Sequence, residues 1–554
     1  MLARFKGKAT CPVCHGKRLR KEATWVKIGG KAITQLVDLP LTELADFINT
    51  LKFDEHDAQI SKRILTELKT RIGYLLDVGV GYLTLNRLAS TLSGGETQRI
   101  NLATSLGSSL VGSLYILDEP SIGLHSVDTE RLLEVLRGMR DQGNTVLVVE
   151  HDLDIIRAAD TIIDLGPRAG SLGGKVVYEG DVKGIEKCEE SLTGGFLSGR
   201  LKLKARKIRS NTGNYILLEN VIVNNLQNLT LKLPLGLLTV ITGVSGSGKS
   251  SLVREALIPA LQSLVDASRP AIANFSKISY EYDDNGEHYK KPIEAVEFVD
   301  QDPLSRSLRS TPVTYIKAYD DIRELFAKQT LAKNMGYSKA MFSFNAPGGR
   351  CENCEGMGVQ IVGMQFMADV EVKCEKCHGT RFQDAILEVK YRGKSIYDVL
   401  EMTVEEALRF FKDDEESSEA KRIIKRLQVL YDVGLDYVKL GIGTSELSGG
   451  EAQRLKLSLY LADPMSFPPT FFAFDEPTTG LHIADIDRLL QVLDSLLKYG
   501  HTVVLIEHNL DVIRKADWII DMGPGAGKDG GRIVAEGTPA DIAKNPESVT
   551  GRYL

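Results

Sequence analysis

The stretch from Gly243 to Ser250, read in place as GVSGSGKS, fits the pattern G-x-x-x-x-G-K-[ST] without a mismatch. Glycines there let backbone N–H groups curl around an anion, and a helix that follows adds its positive end. Gly243, Ser245, Gly246, Gly248 and Ser251 would line such a phosphate cradle, with Lys249 reaching the β and γ phosphates and Ser250 ligating Mg²⁺. Two DEP strings, at Asp118-Glu119 and Asp475-Glu476, each close an apolar run. An aspartate in that place holds Mg²⁺, and the glutamate after it can polarise an attacking water. Glu150-His151 and Glu507-His508 end a third apolar run in the same relation, which places His151 and His508 beside a terminal phosphate. Ser93-Gly94-Gly95 and Ser448-Gly449-Gly450 open LSGGE segments that read as helix starts, a second kind of anion site. Gln301, after the strand-like run Val296–Val299, suits a contact with Mg²⁺ or water.

A separate set of residues suits a metal. Cys351, Cys354, Cys374 and Cys377 are spaced C-x₂-C-x₁₉-C-x₂-C, which is the ligand pattern of a tetrahedral Cys₄ zinc site. Cys11 and Cys14 form one hook of such a site and Cys188 stands alone, read as a small buried residue.

These residues must be held by strands and helices, and the sequence supplies them twice. Tyr74–Leu102 matches Val429–Leu457, Leu114–His125 matches Phe471–His482, and Val146–Asp160 matches Val503–Asp517. The copies lie about 360 residues apart, a period of whole domains rather than of short solenoid repeats. Leu237–Thr242 and Phe471–Phe474 read as strands, Ser250–Leu257 as a helix, and Glu96–Leu106 and Glu451–Leu461 as the LSGGE helices. A matching phosphate loop for the first copy is expected upstream of Met1. The expected organisation is residues 1–199, the C-terminal part of a first nucleotide-binding domain, then a basic linker over 200–215. A complete second domain follows over 216–554, carrying a zinc-bearing insertion at about 262–445. RLKLKARKIR, at Arg200–Arg209, reads by default as solvated linker.

Bulk properties narrow the class. A net charge of −6 excludes a wholly basic nucleic-acid coat but permits a local basic groove. There is no run of 18 apolar residues to span a membrane, and cysteines paired as C-x-x-C suit a reducing, cytoplasmic setting. The phosphate loop, LSGGE, DEP and EH in this order resemble an ABC-type ATPase. With GGRCENCEGMG, the zinc insertion and DEPTTGLH, the chain is similar to the UvrA family, the damage-recognition subunits of bacterial excinuclease.

That resemblance implies an α/β fold of tandem nucleotide-binding domains with helical signature subdomains, facing head to tail. ATP would sit between Gly243–Ser250, Gln301, Asp475, Glu476 and His508 of one copy and Ser93–Gly95 of the other. A second site would keep Asp118, Glu119, His151 and Ser448–Gly450. The implied cofactors are ATP, Mg²⁺ and Zn²⁺; the implied partners are damaged double-stranded DNA, UvrB and a second copy of the chain. Arg306, Arg309, Lys317, Arg350, Lys376 and Arg381 are the candidate phosphate contacts in the insertion. DQDPLSRSLRSTPVTY departs from the family's usual DQSPIGRTPRSNPATY, which keeps open a UvrA-like paralogue linked to drug resistance. The phosphate loop, LSGGE and DEP are also shared by transporter-type ATPases, and a chain with one phosphate loop for two copies could be a catalytically silent remnant.

Overall fold

The computed structural model describes residues 11–92, 94–107, 111–167, 173–266, 268, 274–282, 293–300, 309–364, 370–414, 417–462 and 467–554. Ser93, Gln301 and Arg306 therefore lie outside the described residues.

The second copy is built on a six-stranded sheet. Its order is Ala295–Val299, Thr470–Asp475, Thr502–Ile506, Leu238–Gly243, Trp518–Gly523 and Arg532–Gly537. All neighbours are parallel except the last pair. The central strands are buried along their whole length and mostly apolar, as a sheet covered on both faces requires. On one face, Leu252, Val253, Ala256 and Leu257 join Leu218, Leu231 and Leu233 of a three-stranded antiparallel sheet. On the other lie helices Ile483–Lys498 and Gly449–Ala462, and Val404–Lys412 and Ser418–Asp432 extend the same core beyond them. Register puts Asp475 beside Ile506 and Ile506 beside Ile241, so three strands deliver their carboxyl ends to one rim. Ligands of open α/β sheets bind there.

The first copy repeats this plan in part. Leu114–Asp118 pairs in parallel with Thr145–Val149, and Ile162–Gly166 pairs antiparallel with Lys175–Gly180. In the second copy the phosphate-loop strand lies between the counterparts of these two pairs; among the described residues of the first copy no strand does. One face packs on Leu102, Leu132, Leu136 and Ile155. Among the described residues nothing covers the opposite face: Leu114 and Ile116 are 59% and 65% exposed, whereas their counterparts Phe471 and Ala473 are fully buried.

The linker differs from its expected form. Arg206 is almost wholly buried and donates to both oxygens of Asp517, at 2.8 and 2.9 Å, and to Asp494 Oδ1 at 2.9 and 3.1 Å. Asp517 Oδ2 also accepts the N–H of Leu238, at the start of the phosphate-loop strand. Arg206 and Arg209 of the basic run clamp the base of the sheet, while Arg200, Lys202, Lys204 and Lys207 stay exposed as a solvated linker would. Its partners lie about 300 residues away in sequence, so local charge density gave no sign of them. Cys188 is half-buried rather than buried.

Candidate functional site

Loop geometry follows from the glycines. Gly243, Gly246 and Gly248 all have φ between 78° and 133°, a range that side chains disfavour. A Cβ on Gly243 would lie 1.9 Å from the carbonyl oxygen of Met522, so only glycine lets the two strands meet. Lys249 Nζ donates to the carbonyls of Gly243 and Val244, at 3.0 and 2.9 Å, and spans the mouth of the loop. Burial lowers its pKa to about 8, against the pull of Glu476, Asp128, Asp521 and Asp475. After Ser250 the chain forms a wide π-helical turn, Ser251–Leu257, that continues as the α-helix Ile258–Val265.

Residues of the first copy close on this loop. Ser245 Oγ donates to the carbonyl of Gly123 at 3.2 Å. The ring of Tyr82 covers Gly246, with ring atoms 3.0 Å from where a Cβ would sit. Gly123 lies against the Glu476 carboxylate in the same way, and Gly480 of the second copy lies reciprocally against Glu119. Glu119 and Glu476 both adopt left-handed backbone, φ 44° and 48°, a conformation costly for glutamate and repeated in both copies. Between the two DEP turns runs an open crevice of about 390 Å³ lined by Glu119, His151, Glu476 and His508.

Electrostatics differ sharply from solution. Burial pushes the Glu476 carboxyl up, reinforced by Asp475 and Glu507 and opposed by Lys249 and Arg99. The same burial, with Lys249, His125 and Arg99 nearby, holds His508 far below the usual histidine range, so its ring is neutral. His508 Nε2 is 3.8 Å from Glu476 Oε1, and His151 Nε2 is 3.7 Å from Glu119 Oε1. Glu507 is a scaffold: its carboxylate accepts the N–H groups of Thr478, His508 and Asn509 and the hydroxyl of Thr478. Glu150 repeats this with Ser121, His151 and Asp152.

The signature helices run Gly94–Leu106 and Gly449–Ala462, starting two residues before the expected glutamates. Ser448 and Glu451 cap each other's backbone N–H. A Cβ on Gly95 would lie 2.4 Å from the carbonyl of Ile122, and one on Gly450 2.6 Å from that of Thr479, so these glycines also permit close packing. Gln98 and Gln453 donate to the carbonyls of Asp118 and Asp475, tying each helix to its own DEP strand. Sequence reasoning missed these glutamines, Tyr82 and Arg99. Arg99 is buried with its Nη1 unpartnered among the described residues, and the LSGGE repeat was the one signal pointing to that helix.

The four insertion cysteines converge, with all Sγ atoms within 4.8 Å of one another and all side chains buried. Cys351 and Cys374 Sγ are 3.9 Å apart and Cys354 and Cys377 Sγ 3.6 Å, close to the ~3.8 Å edge of a tetrahedron with 2.3 Å zinc–sulfur bonds. Backbone N–H of Gly358 and the Asn353 amide point at Cys354 and Cys374 sulfur, as thiolate ligands require. The residue set fits zinc. Cys11 and Cys14 adopt the same turn as Cys374 and Cys377, with His15 and His378 at φ 48° and 50°. Cys11 is exposed, and the four insertion cysteines are the sole such cluster among the described residues.

The candidate DNA contacts diverge. Lys317 and Lys376 are exposed. Arg309 pairs with Glu355 at 2.9 Å, Arg350 lies 3.9 Å from the same carboxylate, and Arg381 stacks on Phe344.

Known proteins share this architecture. No family profile matches the chain. It is 49% identical over 545 residues to UvrABC system protein A of Clostridium perfringens, covering 98% of this chain and 56% of that protein. It is 47% identical over 555 residues to the counterpart in Neisseria meningitidis, covering 100% and 57%. The crystal structure of UvrA2 from Deinococcus radiodurans superposes with a TM-score of 0.87 at 43% identity, covering 98% of this chain and 65% of that one. The chain thus spans a little over half the length of the curated relatives it matches. No helix among the described residues is long and apolar enough to cross a membrane. With nearly one residue in two shared along its whole length, and a common fold to match, the chain belongs to the UvrA family of ABC-type ATPases.

Proposed function

We propose that this chain binds and hydrolyses ATP at the seam between its two copies, and that closure of the seam gates recognition of damaged DNA. One observation carries the reading: the phosphate loop and Glu476 of the second copy are covered by Tyr82 and Gly123 of the first. Gly243–Ser251 would hold the phosphates, Lys249 their charge, and Ser250 with Asp475 a Mg²⁺ ion, which supplies charge neutralisation when bound. Glu476, its basicity raised by burial, is placed to accept a proton from water, and neutral His508 to hold a terminal phosphate oxygen. Ser93, Gly94 and Gly95 would close the site, with Gln301 as a further contact. Asp118, Glu119, His151 and Ser448–Gly450 form the counterpart site, which needs a phosphate loop that the described residues do not supply.

The Cys₄ module would hold Zn²⁺ and present Lys317 and Lys376 to DNA phosphates, giving affinity without sequence readout. UvrB and a second copy of the chain are the proposed protein partners, and the cytoplasm the proposed compartment. The test compares Lys249→Ala with the wild-type chain for ATP turnover, and for binding damaged and undamaged duplexes with and without ATP. Loss of turnover and of the ATP response is expected. Wild-type turnover in the variant, or wild-type binding indifferent to lesion and nucleotide, overturns the reading.

A further inference from the structure

Two histidines unused by this scheme begin the helices after the DEP turns. His125 caps Ser126–Asp141 and His482 caps Ile483–Lys498, each accepting a backbone N–H on Nδ1, from Val127 at 3.4 Å and Ala484 at 3.2 Å. Histidine is an unusual cap, since serine, threonine, aspartate or asparagine does that task better. Its advantage is the far nitrogen. A nitrogen that accepts a hydrogen bond carries no proton, so a neutral ring must carry it on Nε2. His125 is fully buried and its charged form is disfavoured, which fixes that tautomer.

The far nitrogens cross the seam. His125 Nε2 lies 3.1 Å from Thr550 Oγ1, 425 residues on; the Thr550 hydroxyl donates onward to Asp521 Oδ1 at 2.8 Å. Ser548 Oγ satisfies Asp521 Oδ2 at 2.6 Å. Asp521 pairs in register with Thr242, one residue before the phosphate loop. The second copy mirrors each step. His482 Nε2 lies 3.2 Å from Thr193 Oγ1, Thr193 donates to Asp164 Oδ1 at 3.1 Å, and Ser191 to Oδ2 at 2.6 Å. Each ring also stands edge-on to the other copy's EH histidine: His125 to His508 at 6.3 Å, His482 to His151 at 6.4 Å.

We propose that His125–Thr550–Asp521 and His482–Thr193–Asp164 are paired positioning relays, each holding one copy's DEP turn against the other copy's nucleotide site. A cap alone would leave the far nitrogen free to face anything; here it meets a threonine–aspartate pair twice, in equivalent places. His125 and Thr550 touch no reacting atom. They set where Gly123 and Glu476 stand, so they act on turnover rather than on nucleotide affinity.

The inference rests on the seam being the ATP site, and the test separates the two. The full chain carries Thr550→Val, which keeps the shape and removes the hydroxyl, or Thr550→Ser, which restores it. His125→Asn keeps a capping oxygen without a far N–H and serves if the valine variant does not fold. With ¹⁵N-histidine labelling, the His125 ring N–H should exchange slowly in wild type and Thr550→Ser and lose that protection in Thr550→Val. Hydrogen–deuterium exchange of residues 548–554 should rise in Thr550→Val and His125→Asn. Loss of one such hydrogen bond predicts a fall in kcat of about fivefold to tenfold with ATP affinity within about twofold. Equal behaviour of the valine and serine variants, or wild-type exchange in residues 548–554 of both Thr550→Val and His125→Asn, overturns the relay. If Lys249→Ala leaves turnover intact, the ATP-site reading falls, while the exchange data still judge the relay.

Discussion

Arg206→Ala should cost the second copy much of its stability, although the residue sits in what sequence alone suggests is loose linker. The guanidinium makes two bonds to Asp517 and two to Asp494, and the Asp517 side chain is wholly shielded from solvent. Deleting one partner of a buried pair strands the other charge, at about 3–5 kcal/mol. Asp517 is not wholly abandoned, since Leu238 N–H and the backbone N–H of Arg209 still donate to it, at 2.9 and 2.7 Å. The loss should therefore fall at the low end, about 3 kcal/mol. Trp518, next to Asp517, is a natural reporter, and Trp25→Phe leaves it the sole tryptophan. Followed by Trp518 emission, with a urea slope of about 3 kcal/mol/M, the unfolding midpoint should drop by about 1 M. Arg206→Lys, which keeps charge but not the fork, should fall between the two. A midpoint shift below about 0.2 M for the alanine variant would refute the clamp.

Glu476→Gln should retain ATP binding and lower turnover by about 100-fold or more, as removal of a general base predicts; wild-type turnover would move the base elsewhere. Elemental analysis should find about one zinc per chain, lost in Cys374→Ser, with a chelator raising proteolysis of residues 351–377 first. His125 is held near pKa 4 against 6.5 when unfolded, so the unfolded chain takes up the proton first and the folded state loses ground as pH falls from 6.5 towards 4. The stability advantage of wild type over His125→Asn should shrink by about 2 kcal/mol between pH 7 and pH 5, measured by denaturant melts; a constant difference would show a solvated ring.

Local features were readable in the sequence because their causes are local. The glycine spacing of Gly243–Ser250, the apolar strand before Asp475 and the LSGGE helix starts each depend on a few neighbouring residues. So do the paired C-x-x-C hooks, and the internal repeat gave the head-to-tail plan through family resemblance. What escaped depends on long-range partners. Arg206 reads as a surface charge until Asp494 and Asp517 come to it. Tyr82 is one aromatic among eighteen tyrosines until Gly246 lies beneath it. His125 and His482 stand inside recognised repeats, yet their far-side partners, Thr550 and Thr193, are set only by the fold. The left-handed backbone at Glu119 and Glu476 has no compositional mark, because glutamate is not a residue that invites it.

The exposed sheet face of the first copy bears on how the whole chain comes apart. Phe471, Ala473, Val504 and Ile506 are sealed inside the second copy, while Leu114, Ile116, Leu147 and Val149 are about half exposed. Two regions of closely matching sequence therefore differ in burial among the described residues, and the seam is a place where they can be coupled. Heat or denaturant should release the first copy ahead of the second, in a separate transition. Any molecule that tightens the seam would raise that earlier transition most, by mass action on the copy that depends on it. The seam that carries the proposed nucleotide site is then also where the less deeply buried copy finds its tertiary support.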